Sequence, residues 1–119
     1  MYQKMEPKAK AAWLAALRSG DYQQGSGRLR EGSLYCCLGV LCNLGASAKE
    51  KWHAYDVVQN VFYYGLDGDL FGMEKALNYP PKDVAEKAGL SNEAANILGK
   101  MNDAGKSFGD IANWIEENL

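Results

Sequence analysis

The run Tyr35-Cys36-Cys37-Leu38-Gly39-Val40-Leu41-Cys42-Asn43-Leu44-Gly45 constrains the fold more than any other stretch. Only Gly39 and Asn43 interrupt its apolar character, and Leu34, Cys37, Leu38, Leu41, Cys42 and Leu44 cover more than one side of a helix. A helix apolar on most sides is a buried one. The run is too short to cross a bilayer, which takes about 20 apolar residues. Gly45 supplies a common helix stop. Residues 36–44 therefore predict a short central helix, and a buried strand is the alternative that periodicity leaves open. Glycine at 39 costs a helix roughly 1 kcal/mol relative to alanine. It makes sense there if another backbone passes close by.

A chain of 119 residues suits one domain, residues 1–119, which buries about two thirds of its unfolded surface. The net charge of -2 argues against a general nucleic-acid binder. The charge is uneven. Residues 1–51 hold eight Lys/Arg against four Asp/Glu, and residues 52–119 hold five against eleven. The N-terminal Met1-Tyr2-Gln3-Lys4-Met5-Glu6-Pro7 has no apolar core of a signal peptide. Three cysteines, two of them adjacent, suit no disulfide framework. A reducing cytoplasm is the expected location.

Pro7 is placed to open a helix, and Ala9, Trp13, Ala16 and Leu17 line one face of it as far as Gly20. Asp21 to Gly32 reads as loop, with a tight hairpin turn at Glu31-Gly32. Trp52 to Gly65 is rich in β-branched and aromatic residues and predicts one or two strands. Asp67-Gly68 predicts a turn before Leu70-Phe71. Pro81 opens a helix that Gly89 stops, and Ser91 caps the next, with Ala94, Ala95, Ile97, Leu98 and Met101 on its buried face. Ser107 to Asp110 fits a capping box with Asp for Glu. Phe108, Ile111, Ala112, Ile115 and Leu119 make an amphipathic stripe in the last helix. The expected fold class is α+β, one domain with a small antiparallel sheet packed with about four helices.

Several stretches bear on chemistry. A cysteine at a helix N-terminus has a lowered pKa, so Cys36 or Cys37 is a conceivable nucleophile with His53, the sole histidine, as base. Free cysteines more often serve as small apolar packing groups. No catalytic residue is assigned on this ground. Cys36, Cys37, Cys42 and His53 lack the paired spacing of structural zinc sites, so no metal or cofactor is expected. Gly25-Ser26-Gly27 could cradle an anion, but it matches neither phosphate-binding glycine motif and reads better as plain loop. Asp67 and Asp69 flank Gly68 and read as turn formers rather than a cation site. The last two helices have a helix-turn-helix outline. The second carries Asp110, Glu116 and Glu117 and no Lys or Arg, so phosphates repel it and DNA binding is rejected.

Leu17 to Tyr22 with Gln24, Gly27 and Leu29, then Tyr35 to Cys42, resembles the N-terminal half of a family of short, uncharacterised proteins of tailed-bacteriophage genomes. Pro81 through Val84 to Leu90 is similar to that family's middle. Met101-Asn102-Asp103, Gly105, Ser107-Phe108, Ile111-Ala112 and Ile115-Glu116 look like its closing signature. The resemblance implies an origin and no activity. By association, it implies a small accessory protein that binds a host or phage protein, such as one that blocks a host defence.

The function expected from the sequence is a non-enzymatic binding module acting on a host or phage protein. Its expected contact surface is the basic loop from Gly25 to Glu31, with Gly25, Gly27, Arg28 and Arg30, together with Tyr22, Tyr35, Tyr63 and Tyr64. Arginine and aromatic residues are favoured at interface hot spots. The alternative is a small-molecule or nucleotide site, or thiol chemistry, in a pocket near Cys36 and Cys37. Nucleic-acid and membrane partners are not expected, and the oligomeric state is left open.

Overall fold

The central helix forms where the apolar run predicts it. A computed structural model of the chain describes residues 2–45, 50–66 and 80–119. We number the helices α1 (Pro7–Arg18), α2 (Cys37–Leu44), α3 (Lys82–Ala88), α4 (Asn92–Asp103) and α5 (Phe108–Asn118). The strands are β1 (Gln23–Gln24), β2 (Arg30–Glu31), β3 (Leu34–Tyr35), β4 (Glu50–Asp56) and β5 (Val61–Leu66). The class is α+β as expected. The predicted turn at Asp67-Gly68 and the Asp67/Asp69 pair lie outside the described residues.

Every residue of α2 from Cys37 to Cys42 is buried. Each fully buried Leu or Val contributes roughly 1.5–3 kcal/mol relative to exposure, so this one element anchors the fold. Around it, α1 packs against α2 and α5, and α4 packs against both α2 and α5. Trp13, wholly buried, donates its indole N–H to the Cys37 carbonyl at 2.9 Å. That satisfies the one polar atom of a large apolar group. The predicted stripe of α5 is borne out in full, with Phe108, Ile111, Ala112, Ile115 and Leu119 all in the core.

The helix ends follow the predicted chemistry. Ser91 Oγ accepts from the Ala94 N–H and Ser107 Oγ from the Asp110 N–H. Glu6, unforeseen as a cap, accepts from the Lys8 and Ala9 N–H groups ahead of Pro7. The N-terminal segment is tied down by Met5 N–H to the Leu119 carbonyl and Glu6 N–H to the Ala88 carbonyl, both 2.9 Å.

The sheet is mixed rather than wholly antiparallel, which corrects the expectation. Its order is β1-β3-β2-β5-β4. β3 folds back from the Gly32-Ser33 turn and inserts between β2 and β1, so it runs antiparallel to β2 and parallel to β1. The predicted strand region divides into the β4–β5 hairpin, paired from Glu50↔Leu66 to Asp56↔Val61. Alternation along the strands sorts side chains to two faces. Trp52, Ala54, Phe62 and Tyr64 share one face with Arg30 and Tyr35, whereas His53, Val61 and Tyr63 take the other. Trp52 reaches α2 by donating its indole N–H to Asn43 Oδ1 at 3.0 Å, so α2 packs against part of the first face.

Candidate functional site

Two clusters of polar and aromatic groups begin within a few residues of each other. The first lies at the N-terminus of α2. Cys36 is the N-cap, its extended backbone donating N–H to the Leu29 carbonyl and its Sγ accepting from the Gly39 N–H at 3.4 Å. The Leu29 carbonyl lies directly against Gly39, and a methyl group there would overlap the Leu29 carbonyl oxygen. The close backbone approach inferred from glycine at 39 is therefore present, and Leu29 is the partner.

Asn102 is the only polar side chain among the described residues that is fully buried. It projects from α4 into this junction. Its Oδ1 accepts from the Cys37 N–H (3.1 Å) and from Gln24 Nε2 (3.0 Å), and its Nδ2 donates to the Gly25 carbonyl at 2.7 Å. Gln24 Nε2 also donates to the Lys106 carbonyl, and the Gly27 N–H donates to the Asp103 carboxylate at 2.9 Å. The glycine loop thus gives one N–H to a carboxylate of its own chain, while Gly25 N–H binds the Tyr35 carbonyl. No buried side-chain nitrogen or oxygen among the described residues lacks a partner.

The thiols belong to this junction. Cys36 is 5 % exposed and Cys37 fully buried, with Cys37 Sγ 3.6 Å from the Leu98 carbonyl oxygen. Burial pushes the Cys36 thiol up to about 11, against the opposing pull of the Gly39 and Leu38 N–H groups. Cys37 is raised well above 9.0, chiefly by burial and then by the neighbouring Cys36. The helix N-terminus does not generate a thiolate here, because desolvation outweighs the dipole. His53 sits on the sheet face opposite Trp52, stacked on Tyr63 at 5.0 Å, so its ring is turned away from α2. No disulfide joins the cysteines, and no group of three His, Cys, Asp or Glu side chains among the described residues is placed to hold a metal.

The second cluster is on the helix-facing side of the sheet, where that face stays partly open. Arg30 lies over three rings, 4.2 Å from Phe62, 5.3 Å from Tyr35 and 5.5 Å from Trp52. Its Nε donates to the Gly32 carbonyl at 2.8 Å, which fixes the guanidinium plane. No carboxylate among the described residues makes an ion pair with it. The rings continue as an edge-to-face row, Tyr22 to Tyr35 (5.1 Å), Tyr35 to Trp52 (5.8 Å) and Trp52 to Tyr64 (5.2 Å). Asn43, the polar interruption in α2, donates to the Tyr22 hydroxyl at 2.7 Å and accepts from Trp52.

Of the residues expected to form a contact surface, the structure brings Tyr22, Arg30 and Tyr35 together on this partly open face. Gly27 and Arg28 are exposed on the preceding loop, and Gly25 is held half-buried beside them. Tyr64 is fully buried and Tyr63 only 8 % exposed, so these two offer no surface to a partner. Their strand alternation points each into a packed environment. Trp52 and Phe62 complete the cluster. Their signal was the β-strand period, which places 52, 62 and Arg30 on one face once the register is known. Asn102 was missed, although it follows Ala94 and Leu98 at steps of four along the buried stripe of α4.

No curated protein and no solved structure matches the chain. Residues 5–119 match one family model, described as Domain of unknown function (DUF8296). The match spans α1 through α5 and includes both clusters, so the chain belongs to the DUF8296 family.

Proposed function

We propose that this protein is a small binding module of phage type that engages an acidic segment of a host or phage protein through the Arg30 face. The single observation that supports this reading is the state of Arg30. Its guanidinium is held over Phe62, Tyr35 and Trp52, with only Nε engaged, by Gly32. Its terminal amino groups point to no carboxylate of the described chain. A guanidinium immobilised on aromatic rings loses little freedom when a carboxylate arrives, and the charge-assisted, bidentate bond is among the stronger polar contacts. Arg, Trp and Tyr are also the residue types that dominate binding energy at interfaces. The phage origin rests on the resemblance of the Leu17–Leu29, Tyr35–Cys42, Pro81–Leu90 and Met101–Glu116 stretches alone.

The test is quantitative capture. Bacterial lysate is passed over immobilised wild type, Arg30→Gln, and a control, Lys8→Gln, which changes an exposed cation on α1. At least one protein is expected to fall about tenfold with Arg30→Gln, an effect of ~1.4 kcal/mol, and to persist with Lys8→Gln. That protein, purified, should then bind wild type directly with the same ranking. Equal capture by all three would remove the Arg30 face from consideration. Native mass spectrometry supplies the second arm: a retained mass of small-molecule size would favour the ligand-pocket alternative.

A further inference from the structure

We infer that the β4–β5 turn is an adhesive tip that docks into the apolar groove between α1, α2 and α3 of a second copy of this chain. The turn carries Val57 and Val58, 78 % and 94 % exposed. Turn positions are normally filled by Gly, Asn, Asp or Ser, whose backbone preferences suit them. Two β-branched apolar residues there contribute nothing to the core.

The tip is nonetheless firmly built. Asp56 Oδ1 accepts from the Val58 N–H (3.0 Å) and the Gln59 N–H (3.1 Å). Asn60 holds a left-handed backbone with φ of 59°, and its carbonyl accepts the Gly32 N–H at 2.7 Å. Asparagine tolerates that conformation, and the bond to Gly32 ties it to the neighbouring turn. The two valines are therefore presented in one arrangement, which lowers the entropy lost on docking.

The same chain offers a receptor. A half-open groove of about 190 Å³ is lined by Ala9, Ala12, Leu41, Leu44 and Val84, with Lys87 among its lining residues. Two valine side chains together have the six carbons of a benzene, which an apolar cavity of about 150 Å³ accommodates. Charge selects between occupants. The tip is flanked by Asp56 and, across the sheet, by Glu31, whereas Lys87 is the only charged residue among the described residues that line the groove. An anionic lipid surface would repel those carboxylates, and the tip lacks the Trp, Tyr, Lys and Arg that anchor segments at membranes. A second copy supplies an apolar concavity and the matching cation. Reciprocal exchange of tips between two copies would close a two-fold dimer. This surface is separate from the Arg30 face and does not depend on it.

Sedimentation equilibrium tests the inference directly. Wild type should rise from 13.1 kDa toward a dimer's mass as concentration increases to about 1 mM, the weak end of measurable affinity. The double variant Val57→Ser/Val58→Ser should stay monomeric over that range. So should Ala12→Glu, which puts an acid into the groove at an exposed helical position. An equimolar mixture of the two should associate again, because one intact tip and one intact groove remain between them. Unchanged circular dichroism of both variants checks that folding is intact. Wild type that remains monomeric, or a tip variant that associates as wild type does, overturns the proposal. A monomeric wild type that co-sediments with phosphatidylcholine or phosphatidylglycerol vesicles through Val57 and Val58 would overturn it and assign the tip to lipid.

Discussion

At the N-terminus of α2 and on the partly open face of the sheet, two clusters rich in chemically capable side chains lie close together along the chain. Around Cys36, Cys37 and Asn102 no buried side-chain nitrogen or oxygen of the described residues lacks a partner: the amide of Asn102 serves three groups, and both thiols are buried with their pKa values raised. Around Arg30 the rings are half-buried and the cation is immobilised without a counter-charge in the described chain. The first cluster has the residue types of an active site and the bonding of a structural joint. The second has ordinary strand residues and a cation whose only polar bond among the described residues is to the Gly32 carbonyl. Residue type alone does not distinguish function from packing. Whether hydrogen-bonding and charge capacity is already spent does.

That contrast can be broken most severely at Gly39. Gly39→Ala should cost at least ~4 kcal/mol, seen as loss of cooperative urea unfolding, because the added carbon meets the Leu29 carbonyl. Tolerance within about 1 kcal/mol would mean that the joint yields easily and is not the rigid centre of the fold. Next in size, Asn102→Ala should cost about 3 kcal/mol by leaving the Cys37 N–H and the Gly25 carbonyl without their buried partner.

The thiols sharpen the comparison through pH. Both are raised in the folded state, so their contribution to stability is complete below the ordinary 9.0 and is lost as pH rises above it, for Cys36 through about 11. The midpoint of urea unfolding should fall over that window, and Cys36→Ala with Cys37→Ala should flatten the decline. At pH 8 alkylation of Cys36 and Cys37 in the folded protein should be far slower than in urea; rapid labelling of either would reopen thiol chemistry at this joint. The smallest effect belongs to the other cluster. Arg30→Ala should change stability by no more than about 1 kcal/mol, the usual scale of a cation–π contact at a partly open site. A loss as large as that of Asn102→Ala would make Arg30 a core residue and remove the contrast.

Local rules read much of this architecture directly. The apolar run, Pro7, Gly20, Ser91, Ser107 and the stripe from Phe108 to Leu119 each specify their own element, because periodicity, caps and stops act over one or two helical turns. The close approach at Gly39 was also legible, since a glycine inside a buried helix implies a neighbour. Its identity, Leu29, was not. Nor was the insertion of β3 between β2 and β1, which depends on which edges a two-residue strand pairs with. Tyr22 and Tyr35 could be read as surface-capable, but only the β2–β5 register set Arg30 over Phe62 and sent Tyr64 into the core. Sequence patterns encode what a residue does within its own helix or strand. Contacts across elements, such as Asn102 with Cys37, are set by packing among segments 65 positions apart, and no local pattern carries that information.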